Sequence, residues 1–264
     1  MRAIAVAQTC PIAGDVRANL ERHLRPARTA AELGAAVVVF PELSLTGYEL
    51  QSAEQAAFTE SDARLGPLIE AAATCGLTLV VGAPVRIGPS LFIGAFIIAP
   101  DRAVALYTKH RLGTFPPSAA CDSITGDVPP AEATVFRPGD RNPLIALDDH
   151  CAAVAICADI GRPAHAEQAA ARGADVYLAS MFVIPSDFDG DAARLARYAA
   201  QHRMLTALAN FGSPSGGLRS AGRSSIWSPA GERLVQLEAE GSGVAVVLET
   251  PTGYRTHAVM LRDE

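Results

Sequence analysis

Apolar residues along this chain fall into two kinds of run. Short stretches of Val, Ile and Ala, apolar at nearly every position, alternate with longer stretches in which apolar and polar residues share a helical period. The first pattern predicts strands buried on both faces, the second amphipathic helices. Residues 2–8 read as a strand, followed by a turn at 11–15 and a helix that Asp15 caps and Gly34 ends. Residues 35–40 form a second apolar strand, a helix from about Ser61 stops at Gly76, and strands follow at 77–85, 91–99 and 103–107. After residue 142 the order returns: strand 152–156, helix 164–172 closed by Gly173, strand 176–179, helix 191–203, strand 205–209, then strands 224–227, 233–237 and 244–248. The element order β-α-β-α-β-β-β thus occurs twice, without a residue-level repeat. Two similar layers packed face to face, with helices outside, bury this many double-sided strands economically. No low-complexity linker separates the halves, so residues 1–264 are expected to form one domain. Between them, residues 111–142 carry five Pro and little periodicity; a loop of that length in a compact fold is usually functional.

Composition narrows the possibilities. The 264 residues are 49% hydrophobic, enough for a substantial core, and carry 22 basic against 28 acidic side chains, a net charge of −6. No basic run is present, which argues against nucleic acid as a partner. The longest apolar stretch, 91–99, is far short of the ~20 residues of a membrane span, and Met1 leads into a strand rather than a signal peptide. Five Cys without a C-x-x-C pair fit a reducing compartment better than a disulfide framework or a zinc site. A cytoplasmic protein without a membrane association is the expectation. Of the 22 basic residues, 21 are Arg and one is Lys, Lys109. The two side chains are not interchangeable where a compact point charge is needed.

Three residues share one context. Glu42 follows the strand ending at Phe40, Lys109 the strand ending at Tyr107, and Cys157 the strand ending at Ile156. Ligands of α/β sheets bind outside the carboxyl ends of strands. There a carboxylate can take the thiol proton, an ammonium can stabilise a thiolate and an oxyanion, and the thiolate can attack an acyl carbon. Taken singly, each has a plainer reading as a buried small Cys, a solvated turn Glu and a surface Lys.

The wording around them resembles the nitrilase, or carbon-nitrogen hydrolase, superfamily over nearly the whole chain. Phe40-Pro41-Glu42-Leu43-Ser44-Leu45-Thr46-Gly47-Tyr48 matches its glutamate motif and Tyr107-Thr108-Lys109-His110-Arg111-Leu112 its lysine motif. Ala155-Ile156-Cys157-Ala158-Asp159-Ile160, followed by Gly173-Ala174-Asp175, matches its cysteine motif, and Ala209-Asn210-Phe211-Gly212 with 222–231 its late Asn and Ser elements. The resemblance implies a four-layer α-β-β-α sandwich of two packed mixed sheets. It also implies a triad of Cys157 as nucleophile, Glu42 as base then acid, and Lys109 as oxyanion stabiliser, with the Ala158 N–H in the oxyanion hole. Glu132, ahead of Phe136-Arg137-Pro138-Gly139, occupies the place of the family's second glutamate and would orient Lys109 or substrate. Two departures bear on substrate: Ala158 stands where many relatives have an aromatic residue, and Gly161-Arg162-Pro163-Ala164 lacks a carboxylate that many carry.

Other features are weaker. Asp187, Asp189 and Asp191 lack the spacing of a calcium loop and read as a helix start. His110 and His165 are near the site without an evident partner, and 212–222 is no phosphate loop. Tyr48, Met181 and Phe182 are candidate substrate-pocket residues, with core packing an equal alternative for the last two. The expected activity is hydrolysis of a small linear amide or N-carbamoyl compound through a thioester, with no cofactor and no metal required. Nitrile hydrolysis through a thioimidate, acyl transfer, and a non-catalytic scaffold are the alternatives. The resemblance also implies a homodimer or larger homo-oligomer.

Overall fold

The strands sort their side chains by parity. In β1 (Ala3–Gln8), Ile4 and Val6 enter one core while Ala5 and Ala7 enter another. The same alternation runs through the central strands in a computed structural model that describes residues 3–148 and 150–262. In order, β1 leads to α1 (Val16–Glu32), β2 (Val37–Val39), α2 (Ala53–Ala56), α3 (Gly66–Cys75), β3 (Thr78–Ile87), β4 (Ser90–Ile98) and β5 (Val104–Thr108). The second half comprises β6 (Ile145–Leu147), β7 (His150–Ile156), α4 (Pro163–Ala171), β8 (Val176–Ser180), α5 (Phe188–His202), β9 (Leu205–Ala209), β10 (Ser225–Trp227), β11 (Arg233–Gln236), β12 (Ser242–Thr250) and β13 (Gly253–Leu261).

These strands form a seven-stranded sheet, β13-β12-β1-β2-β3-β4-β5, and a six-stranded sheet, β11-β10-β9-β8-β7-β6. Both are mixed: β1, β2 and β3 pair in parallel, as do β7, β8 and β9, and the flanking pairs are antiparallel. Between the sheets, Val37 and Val39 meet Val154, Ile156 and Leu178. On the outer faces, Leu20, Leu68 and Ala72 of α1 and α3 cover Ala5 and Val38, while Ala166, Leu195 and Tyr198 of α4 and α5 cover Ala153 and Tyr177. This is the α-β-β-α sandwich. A period-two strand with two apolar faces has no other stable place than between two layers.

Boundaries moved where pairing, not pattern, decides. The apolar run 35–40 contributes three ladder residues, and α5 starts at Phe188. Asp187 precedes α5, Asp189 and Asp191 fall in its first turn, and Asp191 pairs with Arg194. Asp15 caps α1 through a 3.0 Å bond from Ala18 N–H and Gly34, directly after the C-cap Leu33, ends it with a left-handed φ of 87°, both as expected. β6 and β13 were not foreseen. β6 is three residues long, and β13 is an edge strand whose half-exposed positions follow no apolar alternation. Arg2, expected in the first strand, lies outside the described residues.

One glycine fixes how the glutamate turn sits on the sheet. A Cβ at Gly82 in β3 would lie 2.5 Å from both Leu43 N and Pro41 O. Gly82→Ala therefore has to push the turn off the strand, with an expected loss of about 1–3 kcal/mol and roughly 3–10 °C in Tm. A thermal melt superposing on that of the parent protein would contradict this packing.

Candidate active site

The glutamate turn is held from three sides. Leu43 adopts a left-handed φ of 53°, so the chain reverses sharply just after Glu42. Glu42 N–H donates to Met181 O at 3.3 Å, and Ser180 Oγ donates to Phe40 O at 2.8 Å, so the second sheet grips the turn. Behind it, His23 Nδ1 faces Asn19 O at 2.6 Å and Nε2 faces Ser44 Oγ at 2.9 Å. A carbonyl only accepts, so Nδ1 carries the proton and Ser44 donates to Nε2. Burial lowers the His23 pKa to about 4, which keeps that ring neutral and the arrangement fixed.

Lys109, at the end of β5, is fully buried between two carboxylates. Its Nζ donates to Glu42 Oε1 at 2.6 Å and to Glu132 Oε1 at 2.7 Å, and all three side chains are at most 1% exposed. Glu132 is thus no solvated loop residue. Its Oε1 also accepts from Tyr48 OH at 2.8 Å, and its Oε2 from Gly113 N–H at 2.7 Å. The returning loop is pinned beside it: Gly139 N–H donates to Lys109 O at 2.8 Å, and a Cβ on Gly139 would fall 2.2 Å from Thr108 Oγ1. That contact is the physical reason for a glycine after Pro138.

Cys157 follows β7 and opens a short 3₁₀ turn, Cys157–Gly161. Its φ of 42° bends the strand sharply, and its Sγ lies 3.7 Å from Phe182 O. The N–H groups of a first helical turn have no partner within the turn, so the Ala158 N–H is suited to meet an anion.

The charges are arranged for proton transfer. Burial raises the Glu42 pKa to about 7; Lys109 and the adjacent Cys157 thiol oppose the rise and Glu132 adds to it. Glu42 Oε2 is buried without a hydrogen-bond partner. Burial also pushes the Cys157 thiol up, with Glu42 adding and Lys109 opposing, so the resting sulfur keeps its proton. For Lys109, burial works against the ammonium, but Glu42 and Glu132 overturn it and hold the pKa above its ordinary value. Tyr48 stays a phenol, its pKa raised by burial and by Glu132. An uncommitted carboxylate oxygen near neutrality, a thiol and a fixed cation can together move one proton and steady an oxyanion.

The structure therefore brings together Glu42 and Tyr48 of one turn with Lys109, Glu132 and Cys157, from four separate segments of the chain. Phe182 is also at the site, its ring 5.0 Å from Tyr48 and 5.8 Å from Phe115. Met181 is a correction: its side chain is buried in the core beneath α4 and α5, and it serves the site through its carbonyl. Phe115 was missed. It completes a three-ring group with Tyr48 at 5.7 Å, and the available signal was an aromatic residue in the Pro-rich loop three positions after Leu112. Asn210, in the late motif, is a clamp, bonding Val183 N–H, Val183 O and Gly222 O at 2.9–3.0 Å. Among the described residues no group of His, Cys, Asp and Glu is placed to hold a metal, and no helix is long and apolar enough to cross a membrane.

Known proteins share this sequence family and fold. The family described as carbon-nitrogen hydrolase matches residues 3–250. The "hydrolase in pqqF 5'region" of Pseudomonas protegens is 29% identical over 240 residues, covering 88% of this chain and 77% of that protein. The solved NitN amidase of Nesterenkonia sp. AN1 superposes with a TM-score of 0.81 at 28% identity, over 96% of this chain and 94% of its own. A cysteine-to-alanine variant of the amidase from that organism, in complex with butyramide, gives a TM-score of 0.79 at 28% identity, over 93% and 89% of the two chains.

Proposed function

The chain belongs to the carbon-nitrogen hydrolase family, and on that premise we propose that it is a cysteine-dependent amidase releasing ammonia from a small linear amide or N-carbamoyl compound. The observation that carries this reading is the buried Oε2 of Glu42, without a hydrogen-bond partner, on a carboxyl with a pKa of about 7 beside the Cys157 thiol. Glu42 takes the thiol proton as Sγ attacks the amide carbonyl. Lys109 spends two of its three N–H bonds on Glu42 and Glu132, leaving the third for the oxyanion together with the Ala158 N–H. Protonated Glu42 hands its proton to the departing nitrogen, and ammonia leaves a thioester on Cys157. Water, deprotonated by Glu42, then cleaves the thioester to the free acid and restores the thiol. The cluster of Tyr48, Phe115 and Phe182 favours a short apolar acyl group, consistent with the butyramide held by the solved relative. The reading includes residues 1–264 acting as one cytoplasmic domain, assembled with further copies of itself.

A panel of short amides, N-carbamoyl compounds and nitriles assayed for ammonia tests the substrate class. Ammonia from butyramide-sized amides is expected; ammonia only from nitriles, or acyl transfer to added amines without free acid, would replace the reading. The pH profile tests the base. Glu42 works only when deprotonated, so kcat/KM should fall about tenfold per unit below an inflection near pH 7 and level off above it. Unassisted thiolate chemistry would instead keep rising past the ordinary thiol value of about 8.5, because burial pushes the Cys157 thiol up.

A further inference from the structure

Lys109 and Cys157 hang from different sheets, on β5 and β7. Their separation is therefore set by whatever ties the two strand ends together. Asp159, two residues beyond Cys157 and 1% exposed, is placed between them. Its Oδ1 accepts from Arg111 N–H at 2.7 Å and His110 N–H at 3.1 Å, the two amides that follow Lys109. Its Oδ2 accepts from Ile156 N–H at 3.1 Å, directly before Cys157, and from Tyr107 OH at 2.7 Å, two residues before Lys109. We propose that Asp159 is the positioning residue that holds the cysteine turn and the lysine strand end in catalytic register, with Tyr107, His165 and Tyr177 locking its orientation.

All four donors are uncharged, so Asp159 is not half of a local ion pair. Its carboxylate fills its acceptor sites with main-chain and phenol donors from both sheets. The lock has one consistent proton order. Tyr107 OH donates to Asp159, so its oxygen accepts from His165 Nε2–H at 2.9 Å, and His165 Nδ1 accepts from Tyr177 OH at 2.8 Å. Burial lowers the His165 pKa, which suits the neutral tautomer this order needs. His165 lies in α4, close behind the stretch where the sequence lacks the expected carboxylate, and the chain Tyr177–His165–Tyr107 anchors the region there.

Asp159→Asn tests the inference because it keeps size and removes one acceptor. In either orientation its NH₂ opposes a pair of donors, so one tie opens and Lys109 moves relative to Cys157 and Glu42. A misplacement on the order of 1 Å lowers rates about 10²-fold. The readout is iodoacetamide alkylation of Cys157, followed by peptide mass spectrometry across the acid limb; it needs no substrate. At neutral pH the variant should react about 10²-fold more slowly. Its inflection should also move to higher pH, since a retreating Lys109 lowers the Glu42 pKa less against burial and Glu132. A purely structural Asp159 would lower Tm while leaving rate and inflection where they were, and that result overturns the proposal. Tyr107→Phe, which deletes one donor, should shift the inflection the same way by less; should Asp159→Asn fail to fold, a parental rate and inflection in Tyr107→Phe overturns it instead. The inference rests on the proposed triad, and the two fail separately. If parental Cys157 shows no inflection near that of Glu42, the triad is wrong. If it does and Asp159→Asn matches it, only the positioning role is wrong.

Discussion

Lys109→Arg is expected to lower ammonia release by about 10²–10³-fold, the usual effect of losing one oxyanion donor. The substitution keeps the charge, so the loss isolates shape. Nζ occupies a fully buried point 2.6 and 2.7 Å from two carboxylates. A guanidinium is longer, planar and forked, and in that space it either displaces Glu132 or binds Glu42 in bidentate fashion. Bidentate binding would also hold Glu42 ionised and weaken it as a base. Overpacking adds about 1–3 kcal/mol of destabilisation, so Tm should fall by a few degrees while the fold persists. Lys109→Met is the contrasting variant. It leaves Glu42 and Glu132 facing each other unpaired in the interior, for a loss of about 3–5 kcal/mol. Ammonia release and a melting curve on each variant decide the matter, and a fully active Lys109→Arg would show that the site needs the charge at this position and not the shape of lysine.

Cys157→Ala should abolish turnover, by about 10⁴-fold or more, because no covalent route remains. The fold should be unaffected. Ala has the same Cβ as Cys, so the left-handed backbone at φ 42° is no more strained, and a single sulfur atom is all that is removed. Intact-protein mass spectrometry should show no iodoacetamide adduct at position 157, and calorimetry should still register binding of a short amide. Ammonia release at the parental rate from this variant would end the cysteine mechanism outright.

Much of the fold was legible from pattern. Runs apolar at nearly every position in β1, β2, β7 and β8 pointed to strands buried on both faces, and the twofold element order to two facing layers. The edge strand β13 was not legible, because its mixed positions carry no alternation and only its pairing with β12 makes it a strand. Glu42, Lys109 and Cys157 stood out as polar or reactive residues just past apolar strands, and the lone lysine gained meaning from that placement. Glu132 was suggested only by the words around it, since a carboxylate in a Pro-rich loop has no periodicity to show that it is buried. For Met181 and Phe182, neighbours on one segment, the chain alone offered no way to tell which faced the pocket.

By itself, then, the sequence determined which residues end the strands, which of them are chemically reactive, and that a core of two-faced strands needs layers on both sides. These are local properties, carried by periods of two and 3.6 and by residue type. Tertiary packing alone decided that Glu42 and Lys109, 67 residues apart, share a hydrogen bond, that Tyr48 reaches Glu132 across 84, and that Asp159 ties two sheets together across 48 and 52. Contacts between loops of different sheets depend on how the layers stack. The burial that stacking creates moved the Glu42 carboxyl to about 7 and so gave an ordinary glutamate the pKa of a base.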